Sequence, residues 1–296
     1  MTDRPRVAVV GTGRMGAAMA HRLADEGYTP LLYNRTPARA AELAGEIGGR
    51  AVATPAEAAA DADVVITMVA DDDALRAVCQ GPDGILEAAG AETVTIQTST
   101  VMPDTVRELA RAFAERGAGF LDAPVSGSVA TATSGQLAIM AGGEEATLER
   151  ARPVLESLAQ RTFHMGPVGT GAAVKLAVND VIMALDVALA EALVLAEAAG
   201  VDREAAYDVF AGGAVGAPFV QYKRAAFLEP DATPPAFSLS LAQKDMSLIL
   251  ALAERTGTPM AQAEANLAAL SSAAAALGGD RDFSEVATHL RSRRNA

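Results

Sequence analysis

Near the start of the chain four strand-forming residues, Val7-Ala8-Val9-Val10, run directly into Gly11-Thr12-Gly13-Arg14-Met15-Gly16, and Ala17-Ala18-Met19-Ala20 continues with helical character. A strand, three glycines spaced G-x-G-x-x-G and a helix form the phosphate-binding turn of a dinucleotide fold. Gly11 permits the tight turn, Gly13 lets the backbone approach a pyrophosphate, and Gly16 lets helix and strand pack closely. The helix N-terminus then offers unpaired N–H groups and a positive dipole end to phosphate oxygens. With 26 glycines in 296 residues the spacing alone is weak, and an ordinary strand-to-helix turn is the alternative. Its place after a strand and at the opening of a helix makes it specific.

The next strand selects the cofactor. It ends Pro30-Leu31-Leu32-Tyr33, where an NAD-binding chain usually carries an Asp or Glu for the ribose hydroxyl, but here Asn34-Arg35-Thr36 follows. No carboxylate repels a 2′-phosphate, a guanidinium is available to pair with it, and a hydroxyl lies beside it, so electrostatics favours NADP(H). The expected cofactor contacts are Gly11, Thr12, Gly13, Arg14, Met15, Gly16, Asn34, Arg35 and Thr36, with Met68 and Val69 at the end of a later strand.

From residue 6 to about 165 short β-branched runs alternate with Ala-rich helical stretches: Val7 to Val10, Leu31 to Tyr33, Asp63 to Val69, Thr93 to Ile96, Gly119 to Asp122 and Leu137 to Met140. This is the pattern of a parallel sheet with crossover helices. After Gly166-Pro167 the character becomes almost purely helical. The expected fold is therefore α/β, an N-terminal Rossmann-type doubly wound sheet over residues 1–166 followed by an all-α C-terminal domain over residues 167–296. One long helix spans Ala172 to Ala199, apolar nearly all round, with Lys175, Asn179, Asp180, Asp186 and Glu191 as its main interruptions. Such a helix is expected to be buried on every side, inside its domain or between subunits, which implies a homodimer or homotetramer.

The net charge of −13 argues against nucleic acid or an anionic membrane as partner. The single Cys79 excludes an internal disulfide and fits a reducing compartment. The first residues pass straight into a strand without a signal-peptide core, and the helices carry charges along their length, so a cytoplasmic location is expected. His21, His164 and His289 are scattered without ligand spacing, and no metal site is expected.

Three further stretches combine with the glycine turn: Asp122-Ala123-Pro124-Val125-Ser126-Gly127-Ser128, Gly169-Thr170-Gly171-Ala172-Ala173-Val174-Lys175-Leu176-Ala177-Val178-Asn179, and Gln243-Lys244-Asp245. Together they resemble the β-hydroxyacid dehydrogenase family over essentially the whole chain. Ser126-Gly127-Ser128, Gly135-Gln136-Leu137, Asn34-Arg35-Thr36, Pro235-Ala236-Phe237 and Lys244-Asp245-Met246 look most like its glyoxylate/succinic semialdehyde reductase branch. The 3-hydroxyisobutyrate dehydrogenases are similar but often carry Gly at the position of Ser128. The imine reductases resemble the same cofactor half but usually replace the lysine found here at position 175, and chromatin-associated scaffold relatives lack it.

Reducing a carbonyl with NADPH develops negative charge on oxygen, so a proton donor is needed there. Lys175 is a candidate, since an ammonium on an apolar helix is desolvated and gives up its proton more readily. Asn179 follows one turn later on the same face. A lysine snorkelling to solvent is the alternative for Lys175 taken by itself, and the resemblance assigns it catalysis. The resemblance also makes Ser126 and Gly127 the anchor for a substrate carboxylate, and puts Thr100 between nicotinamide and substrate. It makes Lys244 and Asp245 contacts to cofactor or substrate, with Phe237 as a further substrate contact, although an aromatic beside prolines usually packs the loop. Thr100 can also serve as a helix N-cap, and Lys244-Asp245 can be an exposed helix pair.

Overall fold

The computed structural model describes residues 4–294, and the chain divides into two compact units between Lys175 and Leu176. The first unit is built on one nine-stranded sheet: β1 (Val7–Val10), β2 (Leu31–Tyr33), β3 (Arg50–Ala51), β4 (Val64–Thr67), β5 (Val94–Gln97), β6 (Gly119–Asp122), β7 (Val125–Ser126), β8 (Leu137–Gly142) and β9 (Ala159–Gly166). The spatial order β3-β2-β1-β4-β5-β6 is parallel throughout and reverses direction between β1 and β4. Ligands of open α/β sheets bind at such a reversal, beyond the carboxyl ends of the strands.

Strands β1, β4 and β5 are buried at every position, which is why their sequences read as apolar or Thr-containing runs, with Gln97 at the end of β5 the exception. Val7, Val9, Ile66 and Ile96 face one core with Met19 and Leu23, while Ala8, Val10, Val65 and Phe120 face the other with Leu109 and Phe113. Cys79 is wholly enclosed in the second core, and burial pushes its thiol up to about 12.

The expected doubly wound, parallel sheet is present from β3 to β6, and the sheet continues beyond β6 with mixed strand directions. There β8 runs antiparallel to both β6 and β7, and β9 returns parallel beside β8. Three strands give no apolar run in the sequence. β3 and β7 are two residues long, and β9, Ala-Gln-Arg-Thr-Phe-His-Met-Gly, has no buried residue and needs no apolar face.

The second unit is helical, with α-helices at Arg203–Gly212, Pro218–Leu228, Leu239–Thr256, Ala261–Leu277 and Val286–Arg294, and a 3-10 turn at Phe283–Glu285. The 29-residue helix Thr170–Ala198 begins in the first unit and continues into the second. It is not buried on every side: Val181 and Leu195 are 66% and 72% exposed, with Ala177 and Ala188 on the open surface too. Apolar periodicity reports where burial is permitted, and this stripe is uncovered in the single chain. No helix among the described residues is long and apolar enough to cross a membrane.

Asp282 organises much of the second unit's interior. Its Oδ1 accepts from Lys223 Nζ at 2.6 Å and from the Ser284 hydroxyl at 2.8 Å, and its Oδ2 accepts from Ala236 N at 2.9 Å. Lys223 is itself buried, 4.3 Å from the centroid of the Phe283 ring. Burial alone would raise the Asp282 carboxyl, but Lys223 and the Ser284 donors bring it below the usual range. Asp186, on the long helix, is fully buried and burial drives it the other way, well above the ordinary carboxylate range. Replacing Asp282 by Ala would leave a buried ammonium without its counterion; denaturant unfolding is expected to show a loss of about 3–5 kcal/mol.

Candidate active site

At the strand-order reversal the three glycines of the turn have different physical reasons to be glycine. Gly11 has φ +102°, and a Cβ there would lie 2.2 Å from the Met68 carbonyl oxygen, the first residue past β4. Gly16, in the helix Arg14–Asp25, would drive a Cβ to 1.9 Å from the Gly11 oxygen. Gly13 differs from both. Its φ of −70° suits any residue, and a Cβ would meet nothing within 4 Å. The fold therefore leaves open space at Gly13, as backbone contact with a pyrophosphate requires. Gly13 is also the helix N-cap and supplies no side-chain acceptor to the first-turn amides, so they remain available to phosphate oxygens.

The rest of the expected cofactor set borders the same edge of the first unit. Thr12 is buried, and its hydroxyl has no hydrogen-bond partner among the described residues. Arg14 is exposed and Met15 half-buried. After β2, Arg35 and Thr36 are exposed, and Asn34 turns its amide to the Thr36 carbonyl at 3.1 Å. Met68 and Val69 are half-buried beyond β4, with Val69 N donating to Ser99 Oγ at 2.8 Å.

Thr100, after β5, is not a helix N-cap. Met102 occupies that position for the helix Pro103–Glu115, and its amide donates to Asp72 Oδ1 at 3.0 Å. Ser126 ends β7 and Gly127 follows at φ +146°, exposed. The Ser128 hydroxyl caps the short helix Val129–Thr133, accepting from Thr131 N at 3.2 Å, while Ser128 N donates to the Thr131 hydroxyl at 2.7 Å. The residue on which the sequence comparison distinguishes two branches thus serves local backbone capping.

A polar row crosses the carboxyl ends of the strands that the sequence reading left without a role. Thr67, Gln97 and Asp122 are register partners across β4, β5 and β6, so their side chains share one face, and all three are wholly buried. Gln97 accepts from Ser99 N through its side-chain oxygen. Asp122 Oδ2 accepts from Ala172 N, in the first turn of the long helix, at 2.8 Å. Burial lifts the Asp122 carboxyl to about 6, against the pull of the Ala172 and Gly169 amides. The signal available for Asp122 was its place at a strand end inside the D-A-P-V-S-G motif; its partner 50 residues on was not. Lys175 lies one turn beyond Ala172 and is half-buried.

In the second unit Asn179, 5% exposed, donates through Nδ2 to Asp245 Oδ2 at 2.6 Å. Asp245 is itself 1% exposed and ion-paired to Lys244, Nζ to Oδ1 2.7 Å. The exposed-pair alternative for Lys244-Asp245 is corrected: Asp245 sits on the inward stripe of its helix with Ala242, Met246 and Ile249. That stripe was readable as a period of three to four residues, but the acidic residue on it masked its burial. Phe237 packs edge-on against Phe283, ring centroids 5.4 Å apart, in the loop before that helix.

Residues 6–166 match the family model described as the NAD binding domain of 6-phosphogluconate dehydrogenase. Residues 169–290 match that described as NAD-binding of NADP-dependent 3-hydroxyisobutyrate dehydrogenase. Glyoxylate/succinic semialdehyde reductase 1 of Arabidopsis thaliana is 35% identical over 280 residues, covering 95% of this chain and 96% of that protein. A probable 3-hydroxyisobutyrate dehydrogenase of Mycobacterium bovis is 36% identical over 297 residues, with 98% and 99% coverage. Among solved structures, the 3-hydroxyisobutyrate dehydrogenase of Mycobacterium tuberculosis with L-serine superposes with a TM-score of 0.84 at 34% identity, covering 98% of this chain and all of that one.

The different roles of the glycines are separable by mutation. Gly13→Ala is expected to leave thermal stability within about 0.5 kcal/mol of wild type while weakening dinucleotide binding in a fluorescence titration. Gly16→Ala is expected to destabilise the fold by about 1–3 kcal/mol through overpacking.

Proposed function

Because the chain belongs to the β-hydroxyacid dehydrogenase family, nicotinamide-dependent oxidoreductases of small hydroxy acids and their carbonyl counterparts, we propose that it is an NADPH-dependent reductase of small aldehyde or keto acids, of the glyoxylate or succinic semialdehyde type. The observation that carries this reading is Lys175, half-buried on a helix whose first turn is tied to the carboxyl edge of the dinucleotide-type sheet. An oxidoreductase of carbonyls needs a proton donor there, and a scaffold does not. The cofactor preference rests on the exposed Arg35 and Thr36 after β2, with the amide Asn34 where a carboxylate would repel a 2′-phosphate.

When bound, the nicotinamide supplies hydride to the carbonyl carbon or, in reverse, accepts it from the carbinol carbon. Lys175 Nζ gives its proton to the oxygen on which the carbonyl electron pair collapses, and takes one from solvent to regain the ammonium. Asn179 orients the reacting oxygen, its amide held by the Asp245 carboxylate. The Ser126 hydroxyl and the Gly127 amide receive the substrate carboxylate, and Thr100 borders substrate and nicotinamide. Lys244, through its ion pair with Asp245, and Phe237 complete the set as contacts to cofactor and substrate. The uncovered stripe of Val181 and Leu195 supports assembly into a homo-oligomer, since large apolar side chains on one helix face are commonly buried in an interface.

Stopped-flow oxidation of NADPH across glyoxylate, succinic semialdehyde, other keto acids and cyclic imines tests the reading; turnover of imines alone, or of nothing, would overturn it. Lys175→Ala is expected to lower kcat by about 100-fold or more with NADPH affinity nearly unchanged. Arg35→Ala is expected to weaken NADPH by about tenfold, the worth of one charge-assisted contact, and NADH hardly at all, as read by titrating both cofactors.

A further inference from the structure

We propose that Asp122 is a positioning residue for the lysine, its carboxylate clamping the first turn of the Thr170–Ala198 helix to the end of β6 so that Lys175 and the Ser126-Gly127 turn are held as one unit. This rests on the reading of Lys175 as the proton donor.

The geometry around Asp122 is built for that contact. The side chain is wholly enclosed, and its Oδ2 takes the Ala172 amide at 2.8 Å. First-turn amides of a helix have no intrahelical acceptor, so this one is bound by the strand without disturbing the helix. Two glycines make room. A Cβ on Gly171 would come within 2.5 Å of the Asp122 backbone oxygen and 2.3 Å of the Met140 oxygen. One on Gly142, the register partner of Asp122 in β8, would strike Asp122 Oδ1 at 2.3 Å. The helix therefore starts in contact with two strands and is keyed to them by one carboxylate.

From that point the chain diverges in two useful directions. Along the helix, Lys175 follows Ala172 after three residues, so any rotation at the clamp swings the ammonium. Along the strand, Ala123-Pro124-Val125 leads straight to Ser126 and Gly127, with Ala123 N donating to the Gln97 carbonyl at 2.7 Å. Asp122 is thus the shared origin of the proton donor's helix and the anchoring turn. A displacement of about 1 Å in a reacting group costs on the order of 100-fold in rate.

Length and charge are separable here. Asp122→Asn keeps the length and an amide oxygen that accepts from Ala172 N but loses the charge. Asp122→Glu keeps the charge and shifts the clamp by one methylene, and Asp122→Ala removes it. Thermal melting reports folding, fluorescence titration gives the NADPH Kd, and steady-state kinetics separates kcat from KM. We expect Asp122→Asn within about threefold of the wild-type kcat and substrate KM, and Asp122→Glu and Asp122→Ala lower in kcat by about 30- to 100-fold with substrate KM raised as the anchoring turn moves, NADPH Kd staying within about threefold in all. A wild-type kcat in the Glu or Ala variant, or an Asn variant as slow as Ala, would overturn the proposal. If Ala does not fold, the Asn and Glu pair decides. Lys175→Ala measured alongside separates the two readings: near-normal turnover overturns the reaction itself and this inference with it. A dead Lys175→Ala beside unimpaired Asp122→Glu and Asp122→Ala overturns this inference alone.

Discussion

The parallel register of β1, β4, β5 and β6 brings the ends of four strands to one edge of the first unit, and the candidate chemistry there depends on it. Parallel strands need both faces covered, and the crossover helices cover them with small and branched apolar side chains. Because the strands point the same way, whatever follows each of them emerges at the same edge. The glycine turn follows β1, Met68 and Val69 follow β4, Thr100 follows β5, and the Ala123 to Gly127 segment follows β6. Residues far apart in the chain gather there through register alone.

At that edge the structure trades apolar burial for a few specific polar contacts. Thr67, Gln97 and Asp122 are enclosed within the sheet; Gln97 and Asp122 each pair one side-chain oxygen with a backbone amide, which constrains the backbone around them, while the Thr67 hydroxyl has no partner among the described residues. Ser99 holds Val69, Gln97 holds Ser99, and Asp122 holds the start of the long helix. Asn179 and Asp245 do the same within the second unit, fixing a buried amide by a carboxylate that is itself ion-paired. Such contacts stabilise little on balance and do much to single out one arrangement of the groups involved.

Much of this was legible in the sequence, and the limits follow from the kind of signal each residue carries. The six apolar runs became strands because strands buried on both faces must be apolar, and the G-x-G-x-x-G turn is local chemistry. β3, β7 and β9 were invisible because two-residue strands and an exposed edge strand impose no hydrophobic pattern. The antiparallel turn of the sheet at β8 was equally hidden, since a strand's direction is set by its connections and not by its composition. Asp245 was misjudged as a possible surface residue because a carboxylate on a helix is usually solvated, and its partners Asn179 and Lys244 account for its burial.

By itself the sequence determined the alternation that makes a doubly wound sheet, the change to helix near Gly166, and the glycine turn with Arg35 after the second strand. Each is carried by local composition and spacing along the chain. Only the tertiary structure decided that Gly13 faces open space while Gly11 and Gly16 face backbone, that Ser128 caps a helix, and that Asp122 reaches Ala172. Those facts turn on which atoms lie across a gap from one another, and a chain acquires that information only when its strands have paired and its helices have packed.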